Sequence, residues 1–461
     1  MKINICNLGP INTASIELKP LTVFIGENNT GKTWVAYTLS AIFGETGFNK
    51  YLKTYMEGKA TETYPPLDNA LSQLLTEGNA QIDLVQFASD YAQAYINDVA
   101  RLAPRWMPTF MATARMNFDN LQVHINLADT QTALLDKITR MQVEQKLSFD
   151  SHRQTALLNA LKESGKPTLY FYSEGELLQK LPQRAVKQFI TTQLFQILHQ
   201  SLYSNVSILP TERTGFISSP LNLTEEGRLA SKNFLGKTAL PVKRFVEMIA
   251  ITANTSLAER NEQITDNPKI SAYLKLAEFL ETEILRGTVC FETVGLHQEL
   301  VFQPLDNKQK LEMSAVSAMV KELAPLVLYL RYLVEPNEWI IIDEPEMNLH
   351  PAVQIEVIEF LGMLVNAGLQ VLITTHSPYV VDHLINLITA AKQDNKEKIK
   401  ELFYLEQANA FISQEQVSVY LFNEGTTSNA FDDEWVIDWS TFGDVSSDVA
   451  RIYPQLLPAI N

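Results

Sequence analysis

The sequence predicts an α/β fold, a mixed sheet with covering helices, interrupted by a mainly helical insertion. Three observations carry this reading. Near the start, the apolar run Leu21–Ile25 leads into a glycine-bearing loop and then into helical text that Gly44 stops. From Ser314 to about Ile388 the text alternates helix, strand, helix, strand, helix, as α/β units do. Between these stretches, from about residue 45 to 205, the apolar spacing is mostly that of helices.

Taken in order, Ile3–Leu8 and Ile16–Leu18 read as short extended pieces, and Pro20 precedes the third strand. In the insertion, Leu67–Ala114, Ala133–Glu163 and Glu176–Tyr203 read as helical, with strand-like Leu121–Asn126 and Thr168–Tyr172 among them. Val206–Leu209 resumes a sheet, helical text covers roughly 222–286, and Val289–Phe302 alternates like a β-hairpin. Pro351–Asn366 is expected as the crossover helix between two strands. It has Pro at its first turn, Gly368 just past its end, and Val357, Ile358, Leu361 and Leu364 as its packing stripe. Pro325, after Ser314–Glu322, should kink the helix that follows. The expected organisation is a head of residues 1–44 and 206–400, a helical insertion of 45–205, and an acidic C-terminal α/β extension of 401–461.

Bulk properties bound the function. A chain of 461 residues is too long for one ordinary core and suits two lobes, or one lobe carrying an insertion. Hydrophobic residues at 46 % and charged residues at 20 % fit a soluble globular protein. No apolar run approaches the roughly 20 residues that span a bilayer. The start Met1-Lys2-Ile3-Asn4 lacks the layout of a secretory signal. With Cys6 and Cys290 alone, a disulfide framework is not expected, and the expected setting is the cytoplasm. The net charge of −16 disfavours nonspecific nucleic-acid binding outside a local basic patch. From Glu401 onward, ten acidic residues face Arg451 alone, which makes the tail a candidate protein-binding surface.

Three motifs carry chemistry. Gly26-Glu27-Asn28-Asn29-Thr30-Gly31-Lys32-Thr33 fits the pattern G-x-x-x-x-G-K-[ST] between a strand and a helix. Its glycines let backbone N–H groups face the phosphates of ATP, with Lys32, expected to be exposed, reaching the β/γ oxygens and Thr33 ligating Mg²⁺. Trp339-Ile340-Ile341-Ile342-Asp343-Glu344 is an apolar strand ending in two carboxylates. Asp343 would hold Mg²⁺ through water, and Glu344 would polarise the attacking water. Glu346 lies one residue too far on and is expected to be a cap or a surface group. Third, Val371–Thr375 delivers His376 from a strand end, within reach of a γ-phosphate. Lys32, Glu344 and His376 are thus the candidate catalytic residues.

These elements resemble the SMC, RecF and OLD (overcoming lysogenisation defect) branch of ABC-type ATPases. The resemblance rests on Asn7-Leu8-Gly9-Pro10-Ile11, the Gly26–Asn29 loop, Asp343-Glu344-Pro345-Glu346-Met347-Asn348-Leu349-His350-Pro351, and Thr374-Thr375-His376-Ser377-Pro378. It covers both ends of the nucleotide lobe and hardly touches residues 45–205. It implies an ABC-type head that dimerises on ATP, with Asn348-Leu349-His350 crossing the dimer interface. It also implies a signature segment in which a serine touches the partner's γ-phosphate. The matching stretch, Ser314–Glu322, lacks Ser-Gly-Gly, so Ser314 or Ser317 is the candidate contact, set against an ordinary helix cap. After the strand Val206–Leu209, where that branch places a glutamine, stand Glu212 and Arg213.

The resemblance extends to stand-alone ATPases of Septu-like phage defence. It implies a homodimeric switch controlling a separate effector, such as an HNH or toprim-type nuclease. That expectation leans on the tail, where Asp432-Asp433-Glu434 is the single acidic cluster, and Val417–Phe422, Trp435–Trp439 and Phe442 offer an apolar surface to a partner. The alternative is a RecF-like repair ATPase that clamps DNA. Two basic islands would serve it: Arg101, Arg105, Trp106, Phe110 and Arg115; and Arg228, Lys232, Lys237, Lys243 and Arg244. Solvated helix faces are the simpler reading of both.

Overall fold

The structure, a computed structural model, describes residues 1–147, 157–173, 181–218, 238–294, 297–431, 437 and 451. The chain forms two compact units. One comprises Met1–Asn7, Thr38–Met107 and Asn117–Val206, and the other Leu8–Tyr37, Pro108–Met116 and Ser207–Asn461.

The second unit is built on a mixed sheet. Its strands lie in the order Ile11–Glu17, Thr426–Asn429, Val417–Asn423, Leu21–Ile25, Gln370–Thr375, Trp339–Asp343 and Val206–Leu209. Leu21–Ile25 is buried along its whole length, as a strand with helices on both faces must be. Three neighbouring pairings are parallel and in register: Asp343 lies opposite Thr374, Thr375 opposite Ile25, and Ile25 opposite Leu421. Three of these strands therefore finish at one level, the edge where α/β sheets present their loops to ligands, and Val417–Asn423 runs two residues further. Pro351–Asn366 forms the expected crossover helix, and Gly368, at φ +100°, ends its turn. Gly287–Val294 and His297–Pro304 make the expected hairpin, joined by Leu311–Glu312. Ser317 caps the helix Ala318–Tyr332, and Pro325 lies inside it.

One expectation fails here. Val417–Phe422 is no surface for a partner. It pairs with Leu21–Ile25 on one side and Thr426–Asn429 on the other, and Val417, Val419 and Phe422 are fully buried. An apolar strand reads alike whether it waits for a partner or fills a sheet. Trp435, Trp439 and Phe442 lie outside the described residues, as do Asp432, Asp433 and Glu434.

The first unit is mainly helical. Glu45–Met56, Pro65–Glu77, Leu84–Arg101, Gln131–Arg140 and Gln183–Tyr203 surround a core in which Phe195 stacks on Tyr95 and meets Tyr51 edge-on. It also holds an antiparallel sheet in the order Asn79–Asp83, Thr168–Tyr172, Leu158–Lys162, Val143–Leu147. This corrects the helical reading of 133–163, since the helix stops at Arg140 and two strands follow. Leu, Ala and Lys favour helices, but cross-strand pairing outweighs so weak a local preference. Gly78, at φ +74°, likewise ends a helix where the sequence suggests continuous helix from 67 to 114. No helix among the described residues is long and apolar enough to cross a membrane.

Candidate functional site

The glycine-bearing loop runs from the end of strand Leu21–Ile25 to the helix that starts at Lys32. Two of its residues must be glycine. Gly26 sits at φ +141°, where a Cβ would stand 2.5 Å from the Phe422 carbonyl oxygen, and Gly31 at φ +99°, 2.5 Å from Ile11 Cδ1. The Thr30 hydroxyl donates to the Glu27 carbonyl at 2.8 Å. Glu27, Asn28 and Asn29 are exposed along the loop. Lys32 is buried, contrary to the expectation of an exposed side chain. Its ammonium donates to the Gly26 and Glu27 carbonyls, both at 2.7 Å. Burial lowers its pKa, against the pull of Glu344, Asp343, Glu346 and Glu27.

Asp343 closes its strand fully buried. Its Oδ1 accepts from Thr33 Oγ1 at 3.0 Å and from Thr374 Oγ1 at 2.5 Å. Burial raises its carboxyl to about 6, although both hydroxyls favour the ion. The other oxygen, Oδ2, is buried and accepts no hydrogen bond of normal geometry. A buried carboxylate beside a threonine hydroxyl, its ionised form favoured by the Tyr37 hydroxyl as well, suits a hard cation, so Thr33 and Asp343 fit Mg²⁺.

Glu344 stands at φ +50°, a conformation costing a non-glycine residue about 1–3 kcal/mol. Its N–H points at the Thr374 carbonyl and hydroxyl, each at 3.1 Å. Its carboxylate Oε1 lies 3.3 Å from His376 Nδ1, a charge contact whose angles fall short of a hydrogen bond. This neighbour holds Glu344 below the usual carboxylate range, against burial, and Glu344 in turn raises the His376 pKa.

Glu346 corrects another expectation. It is buried, and its Oε1 accepts from Thr375 Oγ1 at 2.6 Å and from the His376 N–H at 2.9 Å, which fixes the strand end that aims the imidazole. Its own carboxyl is raised by burial. Ser377 caps the next helix and donates to Gln354 on the crossover helix.

Arg213, fully buried, reaches the same turn from the other side. Nη1 donates to the Asp343 carbonyl at 2.7 Å and Nη2 to the Glu344 carbonyl at 2.7 Å, while Nε pairs with Glu322 at 2.6 Å. Glu322 also accepts from Thr214 Oγ1 and, at 2.9 Å, from Asn348 Nδ2. Of the pair Glu212 and Arg213, it is therefore the arginine that meets the carboxylate turn.

The remaining candidates lie further out. Ser314 is exposed, its hydroxyl 3.5 Å from Glu312, and Ser317 accepts from the Val320 N–H at 3.4 Å as a helix cap. Asn348 is exposed at φ +58°. In the first basic island Trp106 and Phe110 are buried, so neither ring is open to a base, and Arg101 pairs with Asp98 at 2.7 Å. Of the second, Arg228, Lys232 and Lys237 lie outside the described residues, and Arg244 pairs with Glu247. Thr374 and Glu322 escaped the sequence reading. The available signal for Glu322 was an acid set among Val320, Leu323 and Ala324 on an apolar helix face.

No curated protein matches the sequence. Among solved structures, the chain is similar to an SMC head bound to the C-winged helix domain of ScpA, at 11 % identity and a TM-score of 0.38, over 93 % of this chain and 96 % of that one. It is similar to the SMC head domain from Thermotoga maritima at 9 % identity and a TM-score of 0.32, over 93 % and 97 %. A third is an SMC head with an extended coiled coil, bound to the C-terminal domain of ScpA derived from Pyrococcus furiosus, at 10 % identity and a TM-score of 0.35, over 97 % and 98 %. A family profile described as AAA ATPase domain matches residues 1–381. Since that span takes in most of the sequence and contains every element of the site, the chain belongs to the AAA ATPase domain family.

Proposed function

We propose that this chain binds ATP with Mg²⁺ at the loop 26–33 and hydrolyses it, with Glu344 taking the proton of the attacking water. One observation carries the reading: Lys32, Thr33, Asp343, Glu344 and His376 leave the ends of three neighbouring parallel strands at one level. Backbone N–H groups of Gly26–Thr33 would receive the phosphates, and Lys32 would exchange two loop carbonyls for phosphate oxygens. Thr33 and Asp343 would hold Mg²⁺, which when bound offsets phosphate charge. His376 favours the ionised form of Glu344, the form that can accept a proton, and Glu344 in turn favours a protonated imidazole.

The same proposal extends to an ABC-type dimer. Ser317 sits exposed at the N-terminus of a 15-residue helix, whose dipole and free N–H groups favour a phosphate supplied by a second copy. Asn348, on an exposed turn, would lie beside it. The output we assign to a separate effector, of the HNH or toprim nuclease kind, in phage defence. This follows the resemblance to stand-alone defence ATPases. The rival DNA clamp gains nothing from the first basic island, whose aromatic rings are buried.

The test is phosphate release by the purified chain with Mg-ATP, with sizing in a non-hydrolysable analogue. Turnover and an analogue-dependent dimer are expected. Absence of turnover across protein concentrations overturns the ATPase reading, and a nucleotide-independent monomer overturns the dimer. Co-expression with genomic neighbours, followed by nuclease assay, tests the effector. Metal-dependent cleavage by the chain alone would refute it.

A further inference from the structure

Arg213 and Glu322 form a buried ion pair for which the ATPase reading has no use as it stands. The pair does not merely fill a cavity. The guanidinium spends two of its N–H groups on consecutive carbonyls, those of Asp343 and Glu344, each at 2.7 Å. These flank the peptide that must turn for Glu344 to adopt φ +50°. Strain of that kind persists only where the surroundings over-determine it. The N-terminal side of the turn is held by Thr374, through its carbonyl and hydroxyl, and Arg213 holds the carbonyl side. Lysine, a single point charge, cannot grip two carbonyls in a fixed fork and pair with a carboxylate as well.

Glu322 gives the grip a direction. It sits on the helix that Ser317 caps, and takes Arg213 on one oxygen and Asn348 with Thr214 on the other. Asn348 belongs to the exposed turn just beyond Glu346. One side-chain chain, Asn348–Glu322–Arg213, thus runs from an exposed turn and a helix start to the backbone of Glu344.

We propose that Arg213 is a positioning residue for Glu344, and that Glu322 couples it to Asn348, so that whatever moves the Asn348 turn resets the carboxylate. The inference rests on Glu344 being the hydrolytic carboxylate.

The experiment compares Arg213→Lys and Glu322→Gln with Glu344→Gln, each alone and in pairs with it, reading kcat, KM and nucleotide affinity. Expected for Arg213→Lys and Glu322→Gln is a kcat at least about tenfold lower, with ATP affinity within about threefold, because Lys32 and Thr33 are untouched. In the Glu344→Gln background neither should lower kcat further, since a residue acting through Glu344 has nothing left to position. A purely structural role would lower affinity and kcat together, or lower kcat again in the double variant, and either result overturns the inference. Should Arg213→Lys fail to fold, Asn348→Gly keeps the positive φ and removes the donor to Glu322, while sizing with the analogue reads the dimer contact separately: a fall in kcat that comes only with loss of the dimer overturns the coupling. A fall in kcat at constant affinity with the dimer retained then supports the coupling, and an unchanged kcat sinks it. If Glu344→Gln itself hydrolyses at the parent rate, the catalytic assignment has failed, separately from the role of Arg213.

Discussion

His376 Nδ1 stands 3.3 Å from Glu344 Oε1, and each group favours the charged form of the other. An ionised carboxylate at the end of a buried strand has the acceptor oxygens that the proposed general-base role needs. Replacing it with the isosteric amide removes that capacity while leaving the shape of the site.

Glu344→Gln is therefore expected to retain ATP and to hydrolyse it at least about a hundredfold more slowly. Phosphate release and nucleotide retention on a desalting column measure the two quantities. Hydrolysis at the parent rate removes Glu344 from the mechanism.

Lys32→Ala should abolish nucleotide binding, with affinity falling about a hundredfold or more, since the ammonium is the cation nearest the loop. The buried position adds a second effect. Two hydrogen bonds from a charged group are lost, and stability should fall by about 1–3 kcal/mol without unfolding the chain. A fluorescent-nucleotide titration alongside a denaturant midpoint checks both. Retained affinity excludes the loop as the binding site.

Gly26→Ala tests the loop without touching a charge. The new methyl would stand 2.5 Å from a backbone oxygen of Phe422, in a strand that cannot withdraw because it pairs on both edges. Nucleotide affinity should drop at least about tenfold. Gly58→Ala is the control. It also has positive φ, but a Cβ there meets nothing within 4 Å, so affinity should stay within about twofold. Equal losses in the two variants mean that strain alone, not loop shape, is being read.

Much of the site is legible in the sequence because its parts are contiguous. The loop 26–33 and the pair Asp343–Glu344 declare their chemistry by spacing alone, and the flanking strands are apolar runs. Arg213 is different, since it binds carbonyls 130 and 131 residues away, and no local pattern marks that reach. Glu346 reads like any acid in a turn until Thr375 and the His376 N–H are seen to converge on it. Val417–Phe422 carries the apolar text of either a docking surface or a central strand. Only its pairing with Leu21–Ile25 decides between them. In the first unit, strands written in helix-forming residues are legible only from their partners.

The last prediction concerns acid stability of the first unit, where His199 is buried with no carboxylate beside it among the described residues. Phe43 offers a carbonyl, which can only accept, so Nε2 carries the proton and donates at 2.8 Å. Nδ1 then accepts from the Tyr95 hydroxyl at 2.9 Å. Both ring nitrogens are satisfied in the neutral form, and protonating Nδ1 would turn that acceptor into a second donor. Burial accordingly lowers the pKa from 6.5 to about 4. Between those values the unfolded chain binds a proton that the folded chain refuses, so folding stability falls as pH drops from about 6.5 towards 4 and is fully present above that window. The expected loss between about pH 7 and pH 5 is about 2 kcal/mol from this residue. Glutamine in its place can donate to Phe43 and accept from Tyr95 without titrating. His199→Gln should therefore be less stable than the parent at neutral pH, from imperfect packing, and should lose less on acidification. Denaturant midpoints of both proteins at the two pH values supply the comparison, with hydrogen exchange at Phe195 and Leu198 locating it in this unit. An identical pH slope in parent and variant would show that His199 takes up its proton at the same pH folded and unfolded, which overturns the prediction.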